Sequence, residues 1–447
     1  VANDTLDQLY PGHLQVQRQR TDRILAETGY DALVIHAGVA PTQFLDDQDY
    51  PFKVNPHFKA WVPVTDNPRS ILIYVPGKAP TLLFHRPEDF WHKAAPLPSA
   101  PWAASIDLQP LSVAADAAAH WARLGRVAFV GDPAAFGGQD PAALNPAEVL
   151  RRLHYERAVK TDYELECLRR ASDLGARGHL AALAAFRAGR SEFDAQLAYL
   201  AACRQREDEM PYNNIIAYNE HGAILHYQHL DRDVPQPLRS FLIDAGAQYR
   251  GYASDITRTH AAGAGPFADL IAAVDGAQQQ LCREITVGRD YREVHLTAHR
   301  ILGDVLHRSK LIDLSGQDAL ERGLTSVFFP HGIGHLLGLQ VHDVGGVMGD
   351  AAGHERERPP GHPYLRLTRM LEPGVVVTVE PGIYFIDSML AKAHADERRA
   401  HIDWTRVEAL RPCGGIRIED DVAATAQGPE NLTRDAFARQ ERAGLAA

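Results

Sequence analysis

The chain has only four cysteines, Cys167, Cys203, Cys282 and Cys413; they stand far apart with no CxxC pair, so neither a disulfide framework nor a zinc ribbon is readable. That usage suits a reducing compartment, and a cytoplasmic protein is the expectation. Apolar runs are short, none approaching the length that spans a bilayer, and Val1 to Gln8 are polar, without the apolar centre of a secretory signal. Positive charge is scarce: 46 Lys and Arg against 57 Asp and Glu give a formal charge of −11, which speaks against a nucleic-acid groove or an anionic membrane surface. What remains, at 447 residues, is long enough for two or three domains with substantial cores.

What the sequence does have is a set of five potential metal ligands, Asp244, Asp255, His335, Glu380 and Glu419, each placed where a short polar interruption follows a strand-like apolar run. Four carboxylates and an imidazole suit two hard-to-borderline divalent ions sharing a water. Phe241 to Asp244 and Gly251 to Asp255 read as two strands of a hairpin. A turn centred between Tyr249 and Arg250 predicts Asp244 directly opposite Asp255 on one face, a repulsive pair that needs a shared proton or a cation.

Pro330-His331-Gly332-Ile333-Gly334-His335, continuing to His342 and Asp343, is too rich in glycine for a helix and lacks the Glu of a zincin motif, so it reads as a loop and strand. Glu380 closes the β-branched run Val375 to Val379 and calls for a charged partner. In Gly415-Ile416-Arg417-Ile418-Glu419 the period of two puts Arg417 and Glu419 on one face, where a plain salt bridge is the expected pairing, compatible with ligation by Glu419 if Arg417 orients the carboxylate.

Upstream, a helix from about Gly12 to Thr28, then strands at Asp31 to Ile35, Ser70 to Val75, Thr81 to Phe84 and Gly125 to Val130, predict an α/β class with an N-terminal three-layer domain over residues 1–157. A long Ala-rich helix from Asp162 through Ala188 opens a second domain over 158–447.

Leu242-Ile243-Asp244-Ala245-Gly246, Gly251-Tyr252-Ala253-Ser254-Asp255, His331 to His335, Val341-His342-Asp343-Val344-Gly345, Thr378-Val379-Glu380-Pro381-Gly382 and Gly415 to Glu419 together resemble the pita-bread metallopeptidases, in the family's own order. Phe44 to Phe52, Asp89-Phe90-Trp91-His92-Lys93 and the insertion between Gly349 and Glu372 bring the chain nearest to the bacterial prolidases, including the organophosphorus acid anhydrolase branch. The resemblance implies a pseudo-duplicated curved antiparallel sheet flanked by helices, two divalent ions (Mn²⁺, with Co²⁺ or Zn²⁺ fitting the same ligands), a homodimer, and hydrolysis of Xaa-Pro dipeptides with a side activity on phosphotriesters and P–F bonds. It further implies that Asp255 and Glu419 bridge the ions, Asp244 chelates one, and His335 with Glu380 holds the other. Glu380 doubles as proton acceptor, His226, His331 and His342 assist, and Arg366 grips the substrate carboxylate. Arg417 belongs with the substrate-binding groups, and Tyr212 and Trp91 are candidate walls of the pocket. Alternatives are aminopeptidase P action on longer peptides, a dedicated phosphotriesterase, and a metal-free binding protein.

Overall fold

The computed structural model describes residues 5–91, 93–136 and 140–444; His92 and the first four residues, both part of the sequence readings above, lie outside them. The chain divides into two compact units, one of residues 1–167 with 250–252 and 350–354, the other of 168–249, 253–349 and 355–447.

The first unit is built on a five-stranded mixed sheet: β1 (Ala32–His36), β2 (Ile71–Tyr74), β3 (Thr81–His85), β4 (Asp107–Leu111) and β5 (Val127–Val130), in the order β4-β3-β2-β1-β5. Alternation sorts its two faces. Val34, Ile73, Leu83 and Phe129 pack with Trp121 on one side. From the other side Tyr74 donates to Asp22 of helix α1 (Thr5–Thr28) at 2.6 Å, so the sheet is covered on both faces. Helix α2 (Ala147–Arg157) is tied to α1 by Arg152–Glu27 at 2.9 Å. Helix α1 starts about two turns before the predicted Gly12 and runs through Pro11, because buried Leu6 and Tyr10 extend the apolar stripe of Leu14 and Tyr10 donates to the Trp61 carbonyl at 2.7 Å. Strand β4 went unread; it is a half-exposed edge strand carrying Pro110, with no apolar run to reveal it.

In the second unit helix α3 (Asp162–Arg187, begun in the first unit) and helix α4 (Glu192–Cys203) cover one face of the antiparallel sheet β6 (Ile215–Tyr218), β7 (Ser240–Asp244) and β8 (Thr257–Ala261). Phe241, Ile243 and Ala245 face Phe186 and Tyr199 in that layer, which leaves Leu242 and Asp244 for the opposite face. Helices α5 (Pro266–Cys282) and α6 (Tyr291–Arg308) follow. A second three-stranded antiparallel sheet joins β9 (Val376–Val379), β12 (Asp420–Thr425) and β13 (Gly428–Asn431), and β10 (Gly382–Tyr384) pairs with β11 (Gly415–Arg417). Helix α7 (Leu432–Arg442) closes the chain. Among the described residues no helix is long and apolar enough to cross a membrane.

Candidate metal centre

The hairpin after β7 turns one residue later than the sequence suggested. Arg250 (φ 50°) and Gly251 (φ 88°) both take the left-handed conformation of a two-residue turn, so Asp244 pairs with Thr257 rather than with Asp255. Moving the register by two leaves the side-chain face unchanged, and Asp255 becomes the diagonal neighbour of Asp244 on the same face.

Three backbone links bring the remaining donors to this hairpin. Glu419 N–H donates to the Thr257 carbonyl at 3.0 Å, Glu380 N–H to the Ile333 carbonyl at 2.9 Å, and Thr378 N–H to the His335 carbonyl at 3.0 Å. Gly334 lets the histidine loop lie against β9: a Cβ there would collide with the Thr378 carbonyl and the Tyr291 hydroxyl. The result is a cavity of about 490 Å³ lined by Asp244, Asp255, His335, Glu380 and Glu419 together with His226, His331, His342, Arg366 and Arg417. Tyr212 sits behind it, its hydroxyl 2.8 Å from Asp244 Oδ1 and 2.7 Å from Asp255 Oδ1. Trp91 belongs to the first unit, exposed beside Phe90 with ring centroids 4.5 Å apart.

The salt bridge expected between Arg417 and Glu419 is not formed. Strand β11 ends at Arg417, and the bridge from Glu419 to Thr257 breaks the alternation. Arg417 Nη2 instead meets Asp244 Oδ2 at 2.6 Å, while Glu419 accepts from the Thr257 hydroxyl at 2.6 Å.

His335 Nδ1 donates to its neighbour's carbonyl, Leu336 O, at 3.0 Å, which turns the Nε2 lone pair toward Asp255 Oδ2 at 3.3 Å and Glu380 Oε1 at 3.7 Å. A lone pair facing two carboxylates is repulsive unless a proton or cation lies between them. The carboxylates record the same strain. Burial and its acidic neighbours push Glu419 well above the usual carboxylate range; burial raises Asp244 and lifts Glu380 to about 7, against the pull of nearby cationic groups. Asp255 alone is lowered: a proton on His335 Nε2, kept there against burial by Asp255 and Glu380, gives it a hydrogen bond and an opposite charge that outweigh its own burial. Asp255, His335 and Glu419 each offer an atom within 4.8 Å of the others, and the donor set fits divalent cations.

Two groups that hold the site together were not read from the sequence. Tyr384 accepts from Arg417 Nη1 at 3.0 Å and donates to His331 Nε2 at 2.8 Å; Thr257 accepts from Arg417 Nε at 3.2 Å. Register carries both signals: Thr257 is the β-ladder partner of Asp244, and Gly382 that of Arg417. Burial is the main cause that pushes His331 down to about 3, so its ring is neutral. Partial burial, then His335 and Arg366, pulls His342 down as well. Tyr384→Phe leaves the buried His331 Nε2 without its donor, and the expected cost is about 1–3 kcal/mol of stability, measurable by denaturant unfolding.

Residues 166–426 match the model of metallopeptidase family M24. The chain belongs to this family. Residues 8–155 match the model described as Xaa-Pro dipeptidase, N-terminal domain. A Xaa-Pro dipeptidase of Xanthomonas campestris pv. campestris (strain B100) is 52% identical over 441 residues, covering 98% of this chain and 100% of that protein. One from Aeromonas hydrophila subsp. hydrophila is 51% identical over 438 residues, covering 96% and 98%. Among solved structures, the Pseudomonas aeruginosa aminopeptidase PepP aligns with TM-score 0.71 at 24% identity over 97% of this chain and 98% of its own. Zn-substituted Escherichia coli aminopeptidase P in complex with product gives 0.70 at 23%, covering 98% of each chain. At that identity the likeness establishes the pita-bread fold, an N-terminal domain followed by the M24 catalytic domain.

Proposed function

We propose that this M24 metallopeptidase hydrolyses dipeptides with a C-terminal proline. The observation that carries the reading is the whole-length identity, about half of all positions, to proteins named Xaa-Pro dipeptidase, joined to a cavity lined by the five candidate donors. Asp244, Asp255, His335, Glu380 and Glu419 would hold the divalent ions. Four carboxylates less the Arg417 cation leave three net negative charges; one divalent ion leaves that unbalanced, and two overshoot by the charge of one hydroxide. Two Mn²⁺ per chain is the proposed complement, with Co²⁺ or Zn²⁺ compatible with the same donors. When bound, such ions supply Lewis acidity to water and to the scissile carbonyl.

The chain's own groups do the rest. Glu380, at the cavity wall, takes the proton of the attacking water and returns it to the leaving prolyl nitrogen. That nitrogen carries no N–H in the substrate, so recognition falls on ring shape and on the charged ends. Arg366, exposed on the cavity rim, is placed to grip the C-terminal carboxylate with its two-pronged guanidinium, with His342 beside it, and His226 faces the carbonyl oxygen as charge develops there. Tyr212 fixes the relative positions of Asp244 and Asp255 by spanning both. Arg366→Ala is expected to raise KM for Ala-Pro about tenfold or more with little change in kcat; an unchanged KM removes it from this role.

A panel of Ala-Pro, Ala-Pro-Ala and a paraoxon-type phosphotriester, run on stripped enzyme reloaded with Mn²⁺, Co²⁺ or Zn²⁺, tests the whole reading. Preference for the tripeptide would mark an aminopeptidase P, and faster turnover of the phosphoester a phosphotriesterase. Phe44, Leu45, Phe90 and Trp91, exposed by 89%, 91%, 86% and 77%, leave the first unit with apolar surface that a second copy would cover. A homodimer is the expectation, and sedimentation as a monomer at assay concentration would contradict it.

A further inference from the structure

A second cavity, of about 450 Å³, shares Pro330 and His331 with the first and is lined by three histidines that the chemistry above does not use. His295 and His299 lie one turn apart on one face of α6, and His362 comes from the insertion. Their ring centroids form a near-equilateral triangle with sides of 4.7, 4.6 and 4.6 Å, and one ring nitrogen of each lies within 4.8 Å of the other two. His299 is 1% exposed; its Nδ1 is engaged by Thr325 Oγ1 at 2.8 Å, and its Nε2 is buried with no partner. A buried ring nitrogen in that condition wants a donor or a cation. Burial, reinforced by the neighbouring imidazoles, holds His295 down to about 3 and His299 to about 2, so the rings are neutral and their lone pairs available.

We propose that His295, His299 and His362 form a further divalent-cation site, distinct from the carboxylate centre and selective for Zn²⁺ over Mn²⁺. Three imidazoles with an open fourth position match the tetrahedral preference of Zn²⁺, whereas Mn²⁺ favours the oxygen donors of the first cavity. Thr325 already plays the supporting part of such sites: its hydroxyl, 2.8 Å from Nδ1, orients the His299 ring and can accept the Nδ1 proton when Nε2 serves as the ligand atom. In the metal-free arrangement His295 Nδ1 accepts from Ile333 N–H at 3.3 Å and its Nε2 donates to His362 Nδ1 at 2.9 Å. Coordination through Nε2 moves that proton to Nδ1, replacing the His–His hydrogen bond and giving up the Ile333 contact, the longest of the cluster. Lys392 lines the same cavity and favours an anion, chloride or hydroxide, as the fourth ligand. Because His362 lies four residues before Arg366, an ion here ties the insertion that carries the cavity rim to α6.

The test uses the full chain, stripped with a chelator, reloaded with excess Mn²⁺ and then dialysed against ZnCl₂. The full chain is expected to take up one Zn²⁺ more than His362→Ala takes up under the same dialysis, with three imidazole nitrogens about that extra ion in the X-ray absorption difference spectrum, whatever Zn²⁺ exchanges into the carboxylate centre. His362→Ala and His299→Gln are each expected to lose that equivalent and keep the metal of the carboxylate centre. If His299→Gln does not fold, His362→Ala, from the surface insertion, decides alone. No Zn²⁺ beyond what the carboxylate centre takes, an oxygen-rich spectrum for all of the bound Zn²⁺, or an undiminished Zn²⁺ content in His362→Ala would each overturn the site.

Discussion

Asp255→Asn is expected to lower kcat/KM for Ala-Pro by more than about a hundredfold, a larger loss than removal of a group that only orients a metal ligand. The amide keeps the shape of the side chain and changes its charge at the point where charge matters most. Asp255 faces His335 Nε2 at 3.3 Å, takes the Tyr212 hydroxyl at 2.7 Å, and forms one donor trio with His335 and Glu419. An Asn would either turn its N–H to His335 and occupy the place of a cation, or turn there a neutral carbonyl that lacks the charge to hold one. Glu419→Gln acts by the same logic. Elemental analysis of the folded variants is expected to show at least one ion fewer per chain; full metal content with full activity would remove both residues from the ligand set.

Removal of the metal is expected to leave a protein whose stability depends on pH in a direction that betrays the empty charge. Glu380, Glu419 and Asp244 all have raised pKa values in the metal-free fold. A raised carboxyl contributes stability that is fully present below its unfolded value, about 4, and lost as pH climbs through the folded one, about 7 for Glu380. Asp255, being lowered, loses its contribution only in stronger acid and stays constant across this window. Buried neutral histidines such as His179, pushed down to about 3 mainly by burial, work the other way: their stability is present above about 6.5 and falls as pH drops. They do so with or without metal, so the informative quantity is the stabilisation on reloading. That gain is expected to be greater at pH 8 than at pH 5.5, by on the order of 2 kcal/mol from Glu380 alone, as read from paired thermal or urea unfolding curves. An equal gain at both pH values would mean that the cations do not sit among these carboxylates.

Much of this centre was legible because its donors stand at the ends of β-strands, where apolar runs stop abruptly at an acid. Asp244 is the last residue of β7 and Glu380 follows β9 directly. The helix–strand pattern of the first unit was readable for the same reason, except where a local rule lost to packing. The first helix starts at Thr5 rather than at about Gly12, because the buried Tyr10 and Leu6 carry it through Pro11 and outweigh the hydrogen bond that proline removes. Strand β4 gave no signal, since an edge strand need not be apolar. Pairings across long sequence distances were the hardest to foresee. Arg417 chose Asp244, 173 residues away, over Glu419 two residues on, and only the hairpin register and the Thr257 bridge decide that. The roles of Tyr384 and Thr257 follow from the same registers, so a strand-pairing argument carried further could have found them.

The bonds linking Arg417, Tyr384 and His331 run in one direction only. A guanidinium can give but never take, so the phenol oxygen must receive from it and has a single hydrogen left to hand on, which goes to His331 Nε2. The imidazole hydrogen is thereby confined to Nδ1, where Gly332 O holds it at 2.8 Å, on the edge that lies 3.6 Å from Glu380 Oε2. His331 therefore shows Glu380 a fixed N–H edge and has no vacant nitrogen with which to ferry hydrogen; a neutron map of deuterated crystals would find density on Nδ1 and none on Nε2.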